Sequence, residues 1–134
     1  MTVETTFLDS IVSALPEATC VLCTDTDQIR EMNEQAQKFL GVSVDACPRF
    51  ANFVGTRLGE FLVFVDEIDT RGQAWTRRIK LNRGDGQVLR CEIRGHKVVT
   101  HSNHILLLII DLDEMDRRAH LTEIAELQRA GLDE

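Results

Sequence analysis

The chain is short of aromatic surface: no Tyr, one Trp and six Phe in 134 residues. That is a thin supply for clamping a flat cofactor between rings. Basic charge is also scarce, with 15 Lys and Arg against 22 Asp and Glu and a net charge of −7. Duplex nucleic acid and anionic membrane both need a basic footprint, so neither is expected as a partner. No apolar run approaches the roughly 20 residues of a membrane span; the longest is Ile105 to Ile110. Residues 1–6 carry no basic region ahead of an apolar stretch, so no secretory signal is expected. There is no internal repeat and no low-complexity linker. No carboxylate pair or nucleophile–base pair stands in apolar surroundings, so no catalytic residue is expected.

What is present describes one globular domain. Hydrophobic residues make up 43% and charged residues 28%, enough to bury a core. Cys20, Cys23, Cys47 and Cys91 read as reduced core residues of a cytoplasmic protein rather than as disulfides. Cys20 and Cys23 form a Cys-x-x-Cys, but within a strand an offset of three sends them to opposite faces. A shared zinc with His101 and His104 would therefore distort the backbone, and no metal site is expected.

The periodicity predicts an order of elements. Val3, Phe7, Leu8, Ile11, Val12 and Leu15 recur at helical spacing until Pro16. Ala18 to Cys23 and Ile29 to Met32 read as a hairpin around Asp25-Thr26-Asp27-Gln28. Asn33 is a good N-cap for a helix that Gly41 stops. Thr56 opens a stronger helix, with Leu58, Phe61, Leu62, Val65 and Ile68 on one stripe. The period then changes to two. Trp75, Arg77, Ile79 and Leu81 alternate with Thr76, Arg78 and Lys80, whose charges read as the wet face of a strand. A turn at Asn82 to Gly86 leads into a long strand, Val88 to Val99, with Leu89, Cys91 and Ile93 on one face and Arg90, Glu92 and Arg94 on the other. A third strand, 104–112, passes without Gly or Pro into a charged helix, Glu114 to Ala130. The fold class is α+β: a five-stranded antiparallel sheet with short helices on one face, an N-terminal amphipathic helix and a C-terminal linker helix. The divisions are 1–16, 17–112 and 113–134.

Several segments, in this order and spacing, resemble the PAS domain family. Ile11 to Thr19 is similar to the family's entry into its first strand, and Asp25 to Ile29 to its first hairpin turn. Met32-Asn33-Glu-Gln-Ala36 with Phe39-Leu40-Gly41 resembles its Asn-x-x-Ala helix ending in Leu-Gly. Arg83 to Gly86 resembles its Asp-Gly hairpin, and Ile109 to Asp113 its Asp-x-Thr exit, with Asp113 in place of Thr. The resemblance covers residues 7 to 116. It implies a sensory and dimerisation module that holds haem, flavin, a small metabolite or nothing between sheet and helices.

Cofactor signals are weak. Cys47-Pro48-Arg49-Phe50 resembles the Asn-Cys-Arg-Phe of light-sensing relatives, but a Pro is inserted, Ala46 stands where Asn belongs, and the flavin-binding Asn falls on Leu81. Trp75 with Lys80-Leu-Asn82-Arg83 is similar to flavin-binding redox sensors. His96, His101 and His104 are the haem candidates, and none lies on the 56–68 helix. No bound cofactor is the leading expectation, and flavin stands ahead of haem. His120 lacks the acidic residue and Pro expected beside a phospho-accepting His.

The expected pocket is lined by Phe39, Phe53, Leu62, Trp75, Leu89, Cys91 and Leu108, chosen by apolarity and facing; all are equally explained as ordinary core. Phe7, Leu8, Ile11, Val12 and Leu15 are the candidate dimer interface. The function implied is a sensory module of a bacterial signalling or regulatory protein. It would form a homodimer, take a possible small-molecule ligand, and signal to an output domain through its last helix. The alternatives are a flavin or haem redox or gas sensor, and a purely structural oligomerisation domain.

Overall fold

The computed structural model describes residues 12, 14–46, 48–98 and 103–132, with side chains through residue 129. Seven strands and four α-helices are described. Strands β1 (Ala18–Cys23), β2 (Gln28–Met32), β3 (Gln73–Thr76), β6 (Cys91–Lys97) and β7 (His104–Asp111) form one antiparallel sheet in the order β2-β1-β7-β6-β3. Strands β4 (Leu81–Asn82) and β5 (Val88–Leu89) pair separately as a short ribbon. Helices α1 (Glu34–Leu40), α2 (Ala51–Val54) and α3 (Leu58–Arg71) lie between β2 and β3 in sequence, and α4 (Leu112–Leu132) follows β7. The expected sheet is present. The two expected long strands are each interrupted: 75–81 after Thr76, and 88–99 at Arg90.

Asn33 joins three parts of the chain. Its Oδ1 accepts from the N–H of Ala36 at 2.9 Å, capping α1, and from Thr19 N–H at 3.0 Å. Its amide donates to the carbonyls of Glu17 at 2.7 Å and Leu15 at 3.2 Å. All four hydrogen bonds are made in a site where Asn33 is only 3% exposed, so a short side chain fixes how the N-terminal segment, β1 and α1 meet. At the other end of α1, Gly41 turns into the left-handed region at φ 69°, and Gly84 N–H reaches Leu40 O at 3.1 Å, tying the β4–β5 turn to the helix.

The core fills the space between the sheet's inner face and the helices. β6 and β7 alternate as antiparallel strands do: Cys91, Ile93 and Gly95 face inward, as do Ile105, Leu107 and Ile109. From α3 the buried residues are Phe61, Phe64 and Ile68, with Val65 half-buried. This corrects the expected stripe by a rotation: Leu62 is 58% exposed and Leu58 39%, while Phe64 takes the inward position. The rotation follows from a close approach at Gly95. A Cβ there would collide with Ile68 Cδ1 and lie 2.9 Å from its Cγ1, so α3 rests directly on the β6 backbone.

Gly95→Ala is expected to destabilise the chain by about 1–3 kcal/mol, because the added Cβ would meet the fully buried Ile68 side chain. Urea unfolding should show a lower midpoint at unchanged slope, and Gly95→Ala with Ile68→Val should recover part of the loss.

Candidate functional site

The structure disperses the pocket expected from sequence. Phe53, Leu89 and Cys91 join the inner core, and Phe39 packs half-buried at its margin. Leu62 points outward from α3. Leu108 lies on the sheet's other face, half-buried, because Leu107 holds the inward place in β7. Trp75 is 65% exposed and pairs in register with Arg94, while Ala74 turns inward. Parity fails at Thr76, whose Oγ1 accepts from Arg78 N–H at 3.1 Å. This short side-chain turn bends the chain at 77–78, so Ile79 and Leu81 re-enter the core although Trp75 does not.

Side chains fill the inner space. Phe50 stacks on Phe61 with ring centres 4.6 Å apart, and Phe53 meets Phe50 edge-on at 6.3 Å. Leu81, at the flavin-contacting position, is fully buried. His96 and His120 are exposed, and His104 is half-buried with Nδ1 2.8 Å from Asn103 Oδ1. Among the described residues the inner face is packed by its own side chains, and His96, His104 and His120 do not lie on it. Cys47 and His101 lie outside the described residues. Among those described, no three His, Cys, Asp or Glu side chains gather as metal ligands. Cys20 faces the core and Cys23 the opposite side of β1. Burial pushes the thiols of Cys20 and Cys91 up to about 12. At Cys23 burial also works upward, but hydrogen bonds from Thr26 and Asp25 and the charge of Arg30 together outweigh it and hold the thiol below its usual value.

A sizeable opening lies at the sheet's edge. A cleft of about 680 Å³ separates α3 from the bent segment after β3, within the size of small-molecule sites, roughly 300–1,000 Å³. Glu60, Val63, Phe64 and Glu67 form the helix wall; Trp75 to Ile79 form the other. Glu60 pairs at 2.9 Å with Arg57, the residue before α3, and Glu67 pairs with Arg71 at 3.2 Å along the helix. Arg77 is held by Glu92 at 2.9 Å. Arg78 has no ion-pair partner among the described residues. Of these residues, sequence reading singled out only Trp75 as a site residue. Apart from the buried Phe64, the α3 members are exposed or polar positions whose grouping depends on where β3 bends. A smaller cleft of about 450 Å³ lies at the root of α4, between Phe39, Ile110, Met115 and Arg118.

Glu92 was expected to face water, yet it is 4% exposed. Its two oxygens accept from Arg77 Nε at 2.9 Å and Arg94 Nε at 2.6 Å. Burial alone would raise its carboxyl, but the two guanidinium groups outweigh that and hold it below the ordinary value of 4.5. A lowered carboxyl contributes stability that is complete above the ordinary value and is lost as pH falls through the folded one. Thermal melts of wild type and Glu92→Gln across a pH series should differ at neutral pH by about 1 kcal/mol, since both arginines are half-exposed. They should converge as pH drops below about 4.5. Parallel curves would show that Glu92 does not titrate as described.

No protein-family model matches the sequence, and no curated protein does. Solved structures do match. A PAS domain from a two-component sensor histidine kinase is similar with a TM-score of 0.64 and 13% identity, covering 81% of this chain and 96% of that one. A LOV protein from Rhodobacter sphaeroides is similar with a TM-score of 0.67 and 10% identity, covering 83% and 69%. A PAS domain of a LuxR-family transcriptional regulator from Burkholderia thailandensis, in complex with ethanol, is similar with a TM-score of 0.61 and 12% identity, covering 84% and 99%.

Proposed function

From the PAS fold of this chain, we propose that it is a non-catalytic sensory and dimerisation module of a cytoplasmic bacterial signalling or regulatory protein. Its signal leaves along α4 to an output domain. Relatives in fold come from a sensor kinase and a transcriptional regulator, which supports the sensory reading. No described helix is long and apolar enough to cross a membrane.

The observation that carries the reading is how α4 begins. Asp111, the last residue of β7, caps the helix: its Oδ1 accepts from the N–H groups of Asp113 at 3.0 Å and Glu114 at 3.1 Å. Arg90, at the break between β5 and β6, accepts Leu112 N–H on its carbonyl at 3.1 Å. Its guanidinium meets Asp113 at 3.4 Å and Asp116 at 3.1 Å. Sheet and helix are thus joined over a single turn. Beyond that turn α4 is exposed, including Met115, Leu121, Ile124 and Leu127. Leu112, Met115 and Ala119 follow one stripe; Ile124 and Leu127 follow another, with shifted phase. In a longer protein a partner helix would cover them, and a two-stripe helix can settle in either of two registers.

Hydrogen exchange tests this. Amides beyond about residue 120 should exchange fast in this chain and slowly when an output domain follows, while β7 stays protected in both. Arg90→Ala should speed exchange at 113–118 while lowering global stability by less than about 1 kcal/mol, as exposed ion pairs do. An α4 that exchanges as slowly as β7 makes the helix a core element and removes the transmitter role.

Dimerisation is assigned to the N-terminal segment. Phe7, Leu8 and Ile11 lie outside the described residues. Val12 is buried within the chain and Leu15 is half-buried. With Phe7 and Ile11 both replaced by Glu, sedimentation should report monomers where the parent chain is a dimer at micromolar concentration. A dimer unchanged by the pair of substitutions would place the contact elsewhere.

A further inference from the structure

We infer that the edge cleft between α3 and the bend after β3 binds a small carboxylate with an apolar or aromatic body. This deepens the sensory reading above by naming the class of ligand, and it moves the site from the filled inner face to the sheet's edge. Three observations carry it. First, the cleft's charges are already matched except one. Glu60 is held by Arg57, just before α3, Glu67 by Arg71 on the helix, and Arg77 by buried Glu92. The guanidinium of Arg78 has no ion-pair partner among the described residues, so the free charge lining the cleft is a cation with a fork suited to a carboxylate.

Second, the cleft keeps apolar surface in water. Trp75 is 65% exposed and Val63 69%, and both line the opening together with the buried Phe64 and Ile79. An apolar body seated there would cover part of this surface. Third, the bend that opens the cleft also presents Arg78. The Thr76 hydroxyl holds Arg78 N–H, so the backbone that ends the strand also sets the cation at the rim. A volume of about 680 Å³ accommodates a ligand of this kind.

The chain supplies its own probe, because Trp75 is its single Trp and it has no Tyr. Tryptophan emission of the whole chain would be followed on addition of 3-phenylpropionate, its neutral amide and the matching phenylpropylamine. The acid should shift Trp75 emission to the blue with saturation, and the amide and amine should bind about tenfold more weakly or less. Arg78→Ala should weaken the acid by about tenfold and leave the amide unchanged, with Arg78→Lys between. Val63→Glu, on an exposed position, should abolish the response without unfolding the chain. Equal binding of acid and amide, preference for the amine, or no saturable response at millimolar concentration would overturn the inference. Exchange at α4 is read in the same samples. A Trp75 response with no change at α4 keeps the site and overturns transmission; no Trp75 response overturns the site whatever α4 does.

Discussion

The contact on which the arrangement depends is that between Ile68 of α3 and the bare backbone of Gly95 in β6. With no Cβ on Gly95, the helix settles directly onto the sheet. Close packing then has several consequences. Phe61 and Phe64 turn inward, Leu62 turns out, and the Phe50–Phe61 stack occupies the adjoining space. The inner face is packed by its own side chains, and a cleft of about 680 Å³ lies at the sheet's edge.

That edge is shaped by small polar devices. Thr76 ends β3 by bonding two residues ahead, and Glu92 beneath it binds Arg77 and Arg94. A carboxylate so buried would be costly alone, but two guanidinium groups satisfy both oxygens. The effect is to hold Arg77 against the sheet and leave Arg78, its neighbour, at the rim. The cleft's chemistry therefore follows from which of two adjacent arginines found a partner.

The same logic operates at the exit to α4. The cap from Asp111 and the bonds from Arg90 hold one turn of helix to the sheet, and the remaining turns have no cover within the described residues. The helix is thus bound at its root and exposed along its length. β7 and β6 are neighbours in the sheet, and β6 pairs with β3, so the edge cleft and the helix root are connected by three laddered strands.

Much of this was legible in sequence. Asn33 and Gly41 marked α1 because capping is local: a side chain one turn from the amides it bonds, and a residue that accepts positive φ. The parity of Leu89, Cys91 and Ile93, and the unbroken run from β7 into α4, were readable because a strand's period does not depend on its partners. Trp75, Leu62 and Leu108 were misplaced for a different reason. Their facing hangs on events elsewhere: a hydroxyl that bends the chain at Thr76, a glycine that sets the height of α3, and a choice between Leu107 and Leu108 as the inward residue of an all-apolar strand. The burial of Glu92 likewise needed two arginines, Arg94 on its own strand and Arg77 from the segment after β3. Local chemistry and periodicity determined the elements and their order from the sequence alone. The location of the open site was decided only in the tertiary structure, because a cleft is the space left after distant side chains have packed, and no window of sequence contains it.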